Sequence, residues 1–169
     1  MSKKVLVTFG SKYGATAQIA EKIGQVLQEA GFDTKVVSTR TADKPAAYDA
    51  VVLGSSVYVG SWRKESAKYL RDNLQELKTK AVWIFSSGPT GEGDPVELAQ
   101  GWRVPKNLKV TIDSIQPRDV TVFHGNVDVN KLSKLHKWMI EKVEAPVGDF
   151  RDWDAIISWA KSIADALQG

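Results

Sequence analysis

Val5-Leu6-Val7-Thr8-Phe9-Gly10-Ser11-Lys12-Tyr13-Gly14-Ala15-Thr16 decides how the rest of the chain is read. Its first half is a near-continuous apolar run, the pattern of a parallel strand covered on both faces. Its end opens a helix, because Ile19, Ala20, Ile23, Val26, Leu27 and Ala30 recur at helical spacing. The loop between them delivers the chain to a helix N-terminus, where backbone N–H groups lack partners and the dipole is positive. Such a place suits a phosphate. Ser11 and Thr16 offer hydroxyls, Gly14 permits close backbone approach, and Lys12 adds a charge. Neither GxGxxG nor GxxxxGKS/T occurs, so the usual nucleotide loops are not matched. A plain strand-to-helix turn, with Ser and Gly serving geometry, is the competing reading of this loop alone.

Downstream, residues 32–38 alternate and form a second strand near the sheet edge. A polar connection with Pro45 and one helical turn leads to a third, apolar strand over 49–56. A loop at 57–61 precedes a helix over about 62–77, with Ala67, Leu70, Leu74 and Leu77 on one face. The fourth strand covers 81–86 and is followed by the loop 87–93. Residues 96–99 form a helical turn. Pro105 opens a short helix through Leu108 and Ile112 to Ile115, although Val110-Thr111-Ile112 also has strand character. A fifth strand at 119–124 precedes a helix at 129–143, broken by Pro146-Val147-Gly148. Asp152 caps the last helix, from Trp153 to Leu167.

This alternation predicts a single α/β domain over 1–169: a doubly wound, five-stranded parallel sheet in the order 2-1-3-4-5, with helices on both faces. In such sheets ligands sit beyond the carboxyl ends of the strands, between strands one and three. Loops 10–16, 55–62 and 86–93 converge there, and they are the loops richest in Ser, Thr and Gly.

Composition narrows the function classes. The 169 residues are 43% hydrophobic and 25% charged, the balance of a globular domain. No apolar run approaches the length needed to span a bilayer, and Met1-Ser2-Lys3-Lys4 leads straight into the first strand without a signal-peptide pattern. Cysteine is absent, which excludes disulfides and thiolate chemistry and makes a cytoplasmic setting the simplest expectation. The net charge of +3 is compatible with an acidic partner or an anionic membrane surface, and no nucleic-acid motif accompanies it.

With the three loops placed, the chain resembles the flavodoxin-like FMN-binding family over nearly its whole length. Residues 10–16 resemble the family's phosphate loop, Leu53-Gly54-Ser55-Ser56-Val57-Tyr58-Val59-Gly60 the first flavin-flanking loop, and Ser86-Ser87-Gly88-Pro89-Thr90-Gly91 the second. The resemblance implies bound FMN and redox chemistry on its ring. It assigns the phosphate to Ser11, Lys12, Tyr13, Gly14, Ala15 and Thr16. It assigns one flank to Ser55, Ser56, Val57, Tyr58, Val59 and Gly60, and the other to Ser86, Ser87, Gly88, Pro89, Thr90 and Gly91. A narrower resemblance, to the menaquinone-dependent protoporphyrinogen oxidases of haem synthesis, rests on 54–60, on Val120-Thr121-Val122-Phe123-His124-Gly125, and on the tail Gly148-Asp149-Phe150-Arg151-Asp152-Trp153-Asp154. The main departure is at 87–116, where that family carries a basic insertion and this chain has Gly88-Pro89-Thr90-Gly91-Glu92-Gly93-Asp94.

The resemblance implies an electron carrier or an FMN-dependent oxidoreductase, with a redox protein or quinone as partner and a porphyrinogen-like compound as candidate substrate. Peripheral membrane contact is compatible with it. Tyr58 and Trp62 are the aromatics nearest the flavin in sequence, and Trp62 alternatively fixes the second helix to the sheet. The second flanking loop has no aromatic, which predicts an open flavin face. Gly60 has room to flip a peptide toward the flavin or is a plain turn glycine. His124 and His136 have no metal-ligand spacing around them, and Asp149, Arg151 and Asp152 read as a cap with surface ion pairs. The alternative function is a flavin-free binding or scaffold module. A phosphoacceptor receiver is disfavoured, because Thr8–Ser11 and Ser55-Ser56 stand where its acidic residues belong.

Overall fold

The structure, a computed structural model, describes residues 2–142 and 146–169. Strand β1 (Lys4–Gly10) leads through the loop 11–14 into helix α1 (Ala15–Glu29), and β2 (Asp33–Ser38) follows. After a 3-10 turn at Pro45–Ala47 come β3 (Ala50–Tyr58), the two-residue β4 (Ser61–Trp62), and helices α2 (Lys64–Asp72) and α3 (Leu74–Leu77). Next are β5 (Ala81–Ser87), α4 (Pro95–Leu98), a 3-10 turn at Lys106–Leu108, α5 (Lys109–Ile115) and β6 (Asp119–Phe123). The chain ends with β7 (Asn126–Val127), α6 (Lys134–Lys142), β8 (Gly148–Asp149) and α7 (Trp153–Gln168).

Five parallel strands form the main sheet in the order β2-β1-β3-β5-β6, the doubly wound arrangement expected. The alternation of side chains along each strand supplies two cores. Val5, Val7, Val52, Trp83 and Phe85 meet Ile19, Ile23 and Leu27 of α1 and Ile156, Ala160 and Ile163 of α7. On the opposite face Leu6, Val51, Leu53, Val82 and Ile84 meet Leu70, Leu77, Leu108 and Ile112. Asp152 caps α7 as expected, its Oδ1 accepting from the Ala155 N–H at 3.1 Å.

Three departures from the sequence reading have local causes. The strand expected to stop at 56 runs to Tyr58, because Val57 and Tyr58 pair antiparallel with Trp62 and Ser61; the expected loop is a tight hairpin, and β4 is a sixth strand. The helix over 62–77 is two helices, separated at Asn73, whose Nδ2 donates to the Tyr69 carbonyl at 2.9 Å. Residues 106–115 are helical as expected, because Leu108, Ile112 and Ile115 all reach the core at helical spacing. The helix expected over 129–143 begins only at Lys134, and its last residue lies outside the described residues. It is tied to the fold by the β7–β8 ribbon.

Candidate functional site

Helix α1 starts on Gly14, which holds a left-handed φ of 91° that a residue with a Cβ adopts only at a cost. Ser11 Oγ accepts the Gly14 N–H at 3.1 Å and so shapes the loop, but no side chain caps the helix itself. The first-turn amides and their dipole are therefore available to an anion. Thr16, 2% exposed, places its Oγ1 3.2 Å from Ser87 Oγ and joins the first loop to the third.

At the end of β3, Val59 and Gly60 form the two-residue hairpin turn with φ of 50° and 72°. Two positive values are what a type I′ turn requires, and a β-branched residue there is strained. The third loop is closed against the chain that follows β6. Gly88 N–H donates to the Phe123 carbonyl at 3.2 Å, and Gly125 N–H to the Pro89 carbonyl at 2.8 Å. A Cβ on Gly125 would stand 2.7 Å from the Gly88 carbonyl oxygen, so only glycine allows this approach.

These loops enclose a cavity of about 410 Å³, lined by Ala15, Thr16, Ser56–Val59, Ser87–Thr90 and Gly125–Val127. That volume lies within the usual range of small-molecule sites. Ser56 is 6% exposed, and its Oγ has no hydrogen-bond partner among the described residues. A buried hydroxyl without a hydrogen bond carries a desolvation cost. A smaller hollow of about 70 Å³ lies beside it, against Tyr13, Gly14 and Ala15.

Helix α6 closes the cavity with Leu132 from the preceding turn, His136 and Ile140. The His136 ring lies parallel to Tyr58, with centroids 5.2 Å apart and 10° between planes, and edge-on to Tyr13. His136 Nδ1 and the Tyr13 hydroxyl are hydrogen-bonded. Burial, with help from the nearby charges of Lys12 and Arg63, lowers the His136 pKa below 6.5. Burial pushes the Tyr58 phenol up to about 12. At Tyr13 burial acts in the same upward direction, but hydrogen bonding with Ser133 and the Lys12 charge outweigh it and the pKa is lowered.

A family model for the flavodoxin domain matches residues 6–154. The chain belongs to the flavodoxin family. It is 19% identical to the protoporphyrinogen IX dehydrogenase [quinone] of Escherichia coli K12, over 95% of this chain and 94% of that relative. Among solved structures, a flavodoxin from the domain Archaea superposes with a TM-score of 0.56 at 17% identity, covering 83% of this chain and 96% of that one. The rubredoxin oxygen:oxidoreductase of Desulfovibrio gigas superposes with 0.63 at 15% identity, covering 98% of this chain and 36% of that one. These two likenesses speak to the fold. Family membership itself implies a flavin cofactor and electron-transfer chemistry.

The residues of this flavodoxin-family chain fit a phosphate-bearing flavin. An uncapped helix start with Ala15 and Thr16, and Ser56 and Ser87 from the flanking loops, border one cavity with apolar walls. The structure brings Ala15, Thr16, Ser56, Val57, Tyr58, Val59, Ser87, Gly88, Pro89 and Thr90 together there. Tyr13 and Gly14 line the adjoining hollow. Ser11 serves the loop, Lys12 lies over the Tyr13 ring at 5.4 Å, and Gly60 and Gly91 stand outside the cavity lining.

Two of the serines are occupied inside the fold. Ser55 Oγ donates to the Ser56 carbonyl at 2.8 Å and accepts the Arg63 N–H at 2.9 Å. Ser86 Oγ accepts from Trp62 Nε1 and donates to the Arg103 carbonyl, both at 2.9 Å. Trp62 is thereby a core residue, 6% exposed, and stands outside the cavity lining. His124 is held by the Gly93 carbonyl at 2.7 Å. Arg151 pairs with Asp149 at 2.7 Å and reaches the Ala15 carbonyl at 3.2 Å, so the tail braces the start of α1.

Sequence reasoning missed Gly125, Asn126, Leu132, His136 and Ile140. The available signal was the i, i+4, i+8 spacing of Leu132, His136 and Ile140, one stripe of the helical pattern. That stripe shares the cavity lining with the aromatic-free second loop.

Proposed function

We propose that this chain binds FMN in the cavity and works as a flavin-dependent oxidoreductase. The observation that carries this reading is the uncapped start of α1, whose Ala15 and Thr16 line the same cavity as Ser56 and Ser87 from the two flanking loops. When bound, FMN supplies one-electron or hydride transfer at its ring. The chain supplies binding, orientation and exclusion of water. The α1 amides and Thr16 Oγ1 hold the phosphate. Tyr58, neutral at all ordinary pH because burial pushes its phenol up to about 12, offers an uncharged aromatic wall. Leu132, His136 and Ile140 close the α6 side of the cavity against water.

The finer reading is an oxidase acting on a reduced, apolar macrocycle of the porphyrinogen class, with a quinone as electron acceptor. Two features support it: the likeness to the Escherichia coli enzyme over 95% of this chain, and a cavity whose cap sets Leu132 and Ile140 beside His136. The test begins with the visible spectrum of the purified protein after incubation with FMN. Flavin bands retained through gel filtration are expected; a colourless protein would refute the cofactor. An anaerobic assay with protoporphyrinogen and a menaquinone analogue then follows the fluorescent porphyrin product. Acceptor-dependent product formation is expected, and a flavin-loaded but inactive protein would make it a carrier.

A further inference from the structure

The charge of this chain is not spread evenly. Of its 23 Lys and Arg and 20 Asp and Glu, residues 129–142 contain four lysines and one glutamate, so the remainder holds nineteen of each sign. The whole net charge of +3 therefore coincides with the segment that carries α6, with acidic residues resuming at Asp128 and Glu144. Lys131, Lys134, Lys137 and Lys142 are all exposed.

Exposed apolar bulk collects at the same place. Leu135 is 64% exposed and Trp138 56%, one helical turn apart on the outer side of α6. Val59 (73%) and Leu98 (40%) line the cavity that the same helix caps. Lys142 Nζ lies 4.8 Å from the centre of the Trp138 ring, so an aromatic face and a cation are presented together. Soluble surfaces do not normally gather such residues without a partner.

We propose that α6 is an interfacial helix that docks this chain on an anionic lipid bilayer, with Leu135 and Trp138 entering the headgroup boundary. Lysines at 131, 134, 137 and 142 face the anionic headgroups. The nine-residue α6 is far too short to cross a membrane and lies on its surface. Tryptophan and lysine suit this depth, since each has an apolar body and a polar end. A second copy of the chain is a poor occupant, because two lysine-rich faces repel. The inner side of the same helix caps the cavity, so docking brings the cavity mouth to the lipid, where an apolar reactant is concentrated.

The proposal is independent of the flavin reading, because its test measures only lipid binding. The purified full chain is floated with vesicles of phosphatidylcholine alone and of equimolar phosphatidylcholine and phosphatidylglycerol. Binding to the anionic vesicles is expected to be at least about tenfold stronger and to weaken with salt. The Leu135→Ser/Trp138→Ser variant, and separately the Lys131→Gln/Lys134→Gln/Lys137→Gln variant, are each expected to lose about tenfold in affinity. These side chains are exposed, and an unchanged circular dichroism melt verifies that the variants fold. Absence of flotation, or flotation unaffected by both variants, would overturn the proposal. So would retention on immobilised polyglutamate without flotation, which would identify an acidic protein as the partner.

Discussion

The central sheet and the α6 segment solve the same problem in different ways. In the sheet, Val5, Leu6, Val51, Val52, Leu53 and Ile84 are fully buried, and each strand is held by parallel neighbours. The α6 segment instead stands on Leu132, His136 and Ile140, two aromatic contacts and a two-residue ribbon, and leaves Leu135 and Trp138 outside. A packed layer fixes the loops that bind, whereas a lightly attached cap costs less to displace from them. The division predicts that stability belongs to the sheet and access to the cap.

The largest test of this division is Phe85→Ala. Phe85 is fully buried against Phe123 and Trp159 at 5.8 and 6.1 Å between ring centres, and it covers Gly54. Its truncation is expected to cost about 3–5 kcal/mol in urea unfolding. Leu135→Ala on α6 should change the same transition by less than about 0.5 kcal/mol. Equal effects would erase the distinction. Next in size, Thr16→Val removes a hydroxyl from the cradle and its bond to Ser87. FMN affinity measured by fluorescence quenching is expected to fall about tenfold to a hundredfold, as for a lost hydrogen bond to a charged group. Affinity unchanged by that variant would remove Thr16 from the site.

Smaller effects sharpen the picture. Asp152→Ala deletes the cap of α7 and should cost about 1 kcal/mol in thermal unfolding. Val59→Asn replaces a strained residue at a φ of 50° with one that tolerates it, and should stabilise the fold by about 0.5–1 kcal/mol. The smallest effect is a pH dependence. The His136 pKa is lowered in the closed cap, so the open form takes up a proton more readily. The cap is fully favoured above pH 6.5 and weakens as pH falls from 6.5 toward the lowered value. Hydrogen exchange of α6 amides should accelerate over that interval, and His136→Gln should abolish the dependence.

The same contrast explains what could be read in the sequence. The sheet was legible because Val5–Phe9, residues 49–56 and Ala81–Phe85 are apolar runs whose period and order leave few topologies. The approximate place of the site followed from that order alone. The hairpin at Val59-Gly60 was not legible, because Val is an unfavourable residue for its turn. Ser55 and Ser86 could not be told from Ser56 in sequence, since all three lie at strand ends. Only their partners, Arg63, Trp62 and Arg103, separate occupied hydroxyls from the one left over. The cap was legible as a helix but not as a cap, because its contacts with Tyr13 and Tyr58 span long stretches of chain.

The central claim is that the start of α1 grips a phosphate, and calorimetric titration of the flavin-free protein with FMN and with riboflavin tests it most directly. The two ligands share the ring and differ in the phosphate. Binding of FMN at least about a hundredfold tighter than riboflavin is predicted, from several charge-assisted hydrogen bonds at one helix end. Equal affinities, or no binding of either, would contradict it.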